Sequence, residues 1–151
     1  MKAEMSWVMA SMIGPLTVFE SDGFINQIRF GAFAQPARHN AISRQLEEYF
    51  AGERTMFDLP IRPRGTQFQI SVWNTLLAIP YGETRSYAQI ANAIGRPSAV
   101  RAVGAANGAN PIPIVIPCHR VIGSNGSLTG FGGGIDVKRR LLELESGQRL
   151  F

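Results

Sequence analysis

"TQFQISVWNTLLAIPYGETRSYAQIANAIGRPSAVRAVGAAN", residues 66–107, decides the fold of the second half of this chain. Thr66 and Gln69 have capping-box spacing, in which each side chain satisfies a backbone N–H that the first helical turn leaves unpaired. Behind them Phe68, Val72, Leu76 and Ile79 form one apolar stripe at helical spacing, and Pro80 ends it. Ser86 and Gln89 repeat the capping box, Ile90, Ala91 and Ile94 point inward, and Gly95 suits a helix C-terminus. "GRPS" then turns the chain, and Ser98 is the expected cap of a third helix. Two short helices joined through a glycine fit a helix-turn-helix, although many globular helix pairs share that pattern. Ala102, Gly104, Ala105, Ala106 and Gly108 let either a neighbouring helix or a nucleic-acid backbone approach the third helix closely. Arg101 falls in the first turn, where the helix dipole mildly disfavours a cation. It is either a solvated surface arginine or one aimed at DNA.

Downstream lies "PIPIVIPCHRVIG", residues 111–123, which holds the single cysteine, Cys118. One cysteine forms no intramolecular disulfide, and with two distant histidines, His39 and His119, it builds no thiolate zinc cage, so no metal and no cofactor is expected. The thiol is therefore packing or chemistry, and buried lone cysteines are more often packing. His119 and Arg120 follow it directly, an electropositive setting that favours thiolate. Pro111, Pro113 and Pro117 stiffen the approach. "GSNGSLTGFGGG", residues 123–134, carries six glycines that form either a wall close to a planar ligand or an ordinary surface loop. Adjacent residues of an extended strand point to opposite faces, so His119 works with Cys118 only if the chain turns there or a water intervenes. Glu145, on the last helix "DVKRRLLELE", is the candidate to orient His119. Its alternative is a solvated carboxylate paired locally with Arg139 or Lys138.

Upstream, "SWVMASMIGPLTVFESDGFINQIRFGAF" reads as short strands, with Asp22-Gly23 as a hairpin turn. "NAISRQLEEYFAGE" follows as one amphipathic helix with Ile42, Leu46, Tyr49 and Phe50 on a stripe, Asn40 or Ser43 as cap and Gly52 as stop. "DLPIRPRG", residues 58–65, is the best linker. The expected class is α+β. A small N-terminal antiparallel sheet with a helix, residues 1–63, precedes a mostly helical C-terminal domain, residues 64–151, with the helix-turn-helix and the cysteine loop. Net charge is +4 and lies wholly in the second half: residues 81–151 carry eight Lys/Arg against four Asp/Glu, while residues 1–80 carry seven of each. This is a bias a phosphate backbone could use. Lys2 before an apolar stretch faintly suggests a signal peptide, but Glu4, Ser6 and Ser11 interrupt it, and no run approaches a membrane span. A cytoplasmic protein, with no membrane partner, is expected.

From residue 66 to "KRRLLELE", and most specifically around "PCHRV", the sequence resembles the O6-alkylguanine-DNA alkyltransferases, with weaker likeness over the first 60 residues. The resemblance implies irreversible, single-turnover repair of O6-alkylguanine, with O4-alkylthymine as a further substrate, in flipped-out duplex DNA approached from the minor groove by a monomer. Cooperative binding along DNA stays open. It implies Cys118 as alkyl acceptor, His119 as its base through a water, Glu145 as orienter of His119, and Asn110 holding the active-site turn. Tyr87 would rotate the nucleotide out and Arg101 would fill its place, with Ser98, Ala102 and Arg120 completing the DNA contacts. Pro113, Val121, Phe131, Gly132 and Gly133 would line the base pocket. Phe131 stands where many members carry Tyr, and Gly132 where some carry Ser.

The chemistry agrees. A soft thiolate suits attack on an sp³ carbon, and the thioether product offers water no carbonyl, so nothing regenerates the thiol. The competing readings are a lesion-recognition protein that transfers nothing, as in relatives with Trp in place of the cysteine, a turning-over cysteine hydrolase, and a plain helix-turn-helix regulator.

Overall fold

The computed structural model describes residues 4–36 and 40–147, which leaves His39 outside the described residues. The chain divides into two compact units, Met1–Pro63 and Arg64–Phe151.

In the first unit, β1 (Met5–Met9), β2 (Leu16–Ser21) and β3 (Phe24–Phe30) form an antiparallel sheet in sequential order. Asp22 and Gly23 both have positive φ, 54° and 82°, the two-residue turn whose twist matches the strands it joins. A register shift at Phe19/Glu20 bends β2. Trp7, Met9, Leu16, Val18, Ile25 and Ile28 are buried. Thr17 is buried beside them because its hydroxyl donates to Gly31 O at 2.7 Å and accepts from Phe33 N at 2.9 Å. Helix α1 (Ala41–Phe50) starts with Asn40 as cap and Ser43 closing a capping box, and it buries Leu46 and Tyr49. The expected linker is partly structured: Ile25 N donates to Pro60 O at 2.9 Å and Arg62 N to Ile25 O at 2.8 Å, so residues 60–62 pair along β3.

In the second unit, α2 (Gln67–Leu77) and α3 (Tyr87–Ala93) both begin with the capping boxes read from sequence, Thr66/Gln69 and Ser86/Gln89. Helix α4 (Val100–Gly108) does not start as expected. Its cap is Ala99, with no side-chain bond, and Ser98 is exposed. The physical reason is Pro97: it sits second in a turn closed by Ala99 N to Arg96 O at 2.9 Å, which delays the helix to Val100. Helices α2, α3 and α4 pack on one another. Trp73 at their centre donates its indole N–H to Ala106 O at 2.8 Å. A buried run, Ile112 to Pro117, leads into a 3₁₀ turn, Cys118–Arg120, and then β5 (Val121–Ile122). Strand β5 pairs in parallel with β4 (Arg85–Ser86), which precedes α3. Helix α5 (Ile135–Ser146) closes the unit, with Leu141 and Leu142 buried and Gly147 left-handed at its end.

Candidate active site

The chain turns at Cys118, as the site requires. Cys118 N donates to Ile116 O at 2.8 Å and Arg120 N to Pro117 O at 3.0 Å, so the thiol and the imidazole leave a tight turn and not a strand. Ile114, four residues earlier, holds φ at +76°, which for a β-branched residue is strained backbone. Such strain persists only where surrounding structure imposes it. Asn110 supplies part of that frame: Ile112 N donates to its Oδ1 at 3.0 Å, and its Nδ2 donates to Ile116 O at 2.8 Å.

His119 is fully buried, and its Nε2 lies 2.7 Å from Glu145 Oε2. Glu145 is held from the other side by Arg120, whose Nε and Nη2 reach Oε1 and Oε2 at 2.7 and 2.9 Å, while Nη1 donates to Ile79 O at 2.7 Å. Burial alone would raise the Glu145 pKa, but the hydrogen bonds and charges of His119 and Arg120 overcome it and bring it to about 2. The His119 pKa is lowered, burial outweighing its hydrogen bond to Glu145. Near neutral pH the imidazole is therefore neutral beside an ionised carboxylate, and its charge acts on Glu145 only in the acid range where it is protonated. A carboxylate only accepts, so Nε2 carries the proton and Nδ1 is a bare lone pair. Nδ1 is buried and has no hydrogen-bond partner among the described residues, which leaves it available as a base.

The Cys118 thiol is buried, and burial pushes its pKa up to about 11, against the opposing pull of Asn110, Lys138 and the backbone N–H groups of Cys118 and His119. At rest it is a thiol, and it needs a base before it can attack.

Residues 67–147 match the family described as the DNA-binding domain of 6-O-methylguanine DNA methyltransferase, and residues 7–63 match that enzyme's ribonuclease-like domain. The chain belongs to the 6-O-methylguanine DNA methyltransferase family. It is 51% identical over 148 residues to the methylated-DNA-protein-cysteine methyltransferase of Mycobacterium tuberculosis, covering 91% of this chain and 90% of that one. A crystal structure of the O6-methylguanine methyltransferase of the same organism superposes with a TM-score of 0.89 at 48% identity, over 97% of this chain and 94% of the other. The M. tuberculosis OGT in complex with DNA superposes at 0.86 and 51% identity, over 94% and 92%. As a member of this methyltransferase family the chain is an enzyme of methyl transfer from DNA to a protein cysteine.

Within this methyltransferase, Cys118, His119, Glu145 and Asn110 gather at one place. Tyr87 opens α3, directly after the strand that pairs with Val121 and Ile122. Its hydroxyl donates to Thr129 O at 3.4 Å and accepts from Thr129 Oγ1 at 3.1 Å. Arg101 and Ala102 are exposed on α4. Pro113 and Val121 are buried, Phe131 and Gly133 half-buried and Gly132 exposed in the loop entering α5. Arg120, expected among the DNA contacts, is a correction: it is buried, and all three of its nitrogens are spoken for inside the protein. The carbonyl of Val121 is occupied as well, by Lys138 Nζ at 2.6 Å.

Two residues escaped the sequence reading. Lys138, named from sequence only as an alternative local partner of Glu145, is fully buried, donates also to Thr129 O at 2.8 Å and so ties the glycine-rich loop to β5. Burial lowers its pKa to about 8, against the pull of Cys118. Asn107, near the end of α4, is buried, and its Nδ2 reaches Cys118 O at 3.3 Å. A polar residue on the inward face of a small-residue helix, between Ala106 and Gly108, was the available signal for Asn107. Nothing local marked Lys138.

Proposed function

We propose that this enzyme repairs O6-alkylguanine in double-stranded DNA by moving the alkyl group onto Cys118, once per molecule. The acceptor of this family's reaction is a cysteine, and the chain has one. The observation that carries the reading is the bare, buried Nδ1 of His119, set one residue from that thiol by a tight turn and oriented by an ionised Glu145.

Nδ1 takes the thiol proton through a bridging water, while Glu145 stabilises the imidazolium that forms. The sulfur electron pair makes the S–C bond, and the C–O6 bond breaks with its pair going to guanine. The departing base must not leave as a full anion, so a proton or hydrogen bond is needed at its edge. The Tyr87 hydroxyl, on leaving its long 3.4 Å bond to Thr129 O, and the amides of residues 130–133 are the donors of the right type, and Pro113 with residues 131–133 walls the base. The thioether has no electrophilic carbonyl, so the thiol is not regenerated.

The target atom lies inside a duplex, so the nucleotide must be extruded, at a cost of a few kcal/mol that is lower for a badly paired lesion. The pair α3–α4, read as a helix-turn-helix, would enter the minor groove with Ala102 and Ser98 close to the backbone, Tyr87 turning the nucleotide and Arg101 taking its place. One copy holds the whole set of residues, so a monomer suffices. No helix of the described residues is long and apolar enough to cross a membrane. A thiol that must stay reduced fits the cytoplasm.

The test is the intact mass of the protein after incubation with duplex DNA carrying one O6-methylguanine. One added methyl on a peptide containing Cys118, saturating at one per chain and absent in Cys118→Ser, is the expected result. Repaired DNA with unchanged protein mass would overturn the single-use reading, and tight binding to unrepaired DNA would make this a lesion-recognition protein. The same assay with O4-methylthymine decides that substrate.

A further inference from the structure

Two carbonyl oxygens around the nucleophile, those of Ile116 and Cys118, are held by side chains at the end of α4 and just past it. Asn110 Nδ2 donates to Ile116 O, the carbonyl that also accepts Cys118 N–H, and Asn107 Nδ2 donates to the carbonyl of Cys118 itself. Asn107 belongs to α4, two per cent exposed, while Arg101, Ala102 and Ala105 on the same helix face solvent. Its position is fixed from behind by Trp73, which bonds the adjacent Ala106 carbonyl. A carbonyl only accepts, so the amide's NH₂ end must face Cys118 and its Oδ1 must point away. That oxygen is buried without a hydrogen-bond partner among the described residues. An Asn kept in an apolar core with half its amide unsatisfied is costly for stability alone, and such a group calls for a role.

We infer that Asn107 is a positioning residue for alkyl transfer, fixing the Cys118 peptide, and with it the sulfur, relative to the helix that presents Arg101. The inference rests on Cys118 being the acceptor. Helix α4 then acts as a rigid link: its outward face sets where a nucleic acid lies and its inward face sets where the nucleophile lies. Direct displacement needs the sulfur in line with the C–O bond that breaks, so an error of about 1 Å in that placement slows transfer up to roughly a hundredfold.

The experiment follows benzyl incorporation from free O6-benzylguanine by intact mass, giving both a rate constant and a final stoichiometry, across neutral to alkaline pH. The proteins are wild type, Cys118→Ala, Asn107→Ala and Asn107→Asp. Asn107→Ala should still reach one benzyl per chain, with a rate constant about tenfold to a hundredfold lower. Asn107→Asp should be slower too, with its pH profile displaced upward, because a carboxylate beside the Cys118 peptide opposes formation of the thiolate. A purely structural Asn107 would lower the melting temperature or the reactive fraction and leave the rate constant and pH profile of the reactive fraction at wild type; that outcome overturns the inference. If Asn107→Ala does not fold, the near-isosteric Asn107→Asp decides alone, and a wild-type rate and profile in it overturns the inference equally. Wild type that takes no benzyl group, or Cys118→Ala that takes one, would remove the acceptor reading and this inference with it.

Discussion

Arg120 holds Glu145 through two nitrogens and Ile79 through a third, so removing it strands a buried carboxylate. Arg120→Ala is therefore expected to cost about 3–5 kcal/mol of stability in denaturant unfolding. The salt dependence of DNA binding should stay at the wild-type slope, since the guanidinium reaches no phosphate. A lowered slope would return Arg120 to the DNA face. The same cluster sets an acid limit. The folded Glu145 pKa is depressed to about 2 from its ordinary 4.5, so the stability it contributes is complete above 4.5 and is lost as pH falls from there toward 2. Unfolding titrations should show that loss in wild type and a weaker one in Glu145→Gln. From sequence, Glu145 was the candidate to orient His119, with a local pair to Arg139 or Lys138 as the alternative. Arg139 pairs with Asp136 and Lys138 turns inward, whereas Glu145 meets His119, 26 residues away, as read from sequence, and also Arg120, 25 residues away, which was not. Spacing along a helix identifies neighbours on that helix only, which is why Glu145 was legible as a candidate while Arg120 was misplaced.

Helix starts were legible where a side chain closes on a backbone N–H three residues on, because that bond is local. Thr66 and Ser86 both make it, at 3.1 Å to Gln69 N and Gln89 N. Ser98 offered the same residue type, but Pro97 turns the chain first and the bond is absent. Three alanine substitutions separate these cases by thermal or denaturant unfolding. Thr66→Ala and Ser86→Ala should each cost about 1 kcal/mol, and Ser98→Ala should stay within about 0.5 kcal/mol of wild type. A large loss at Ser98 would mean that it caps α4 after all. The β2–β3 hairpin was legible for a comparable reason, since Asp-Gly adopts the left-handed pair that the strand twist demands. The pairing of residues 60–62 with β3 was not, because prolines and arginines gave that segment a linker's composition while its backbone found a strand edge.

Charge divides between the two units. Residues 64–151 carry nine Lys/Arg against four Asp/Glu, whereas residues 1–63 carry six against seven. Composition displayed this asymmetry, but it did not display which cations are free to meet a polyanion. Arg120 and Lys138 are buried, Arg85 pairs with Glu83 and Arg139 with Asp136, whereas Arg101 is exposed on α4. Each phosphate neutralised releases counterions and adds about 0.9 to the magnitude of the slope of log K against log salt. A chain whose DNA contacts come from α3 and α4 should bind duplex DNA with a slope well below that of its nine cations. On the proposed role of Arg101 as the side chain that fills the place of an extruded base, Arg101→Ala should weaken repair of duplex DNA while leaving the reaction with free O6-benzylguanine near wild type. Arg29→Ala, in the near-neutral first unit, should leave the salt slope unchanged. Equal losses on duplex and free base in Arg101→Ala would put that residue in the chemistry, and a slope that falls in Arg29→Ala would extend the DNA-binding surface into the first unit.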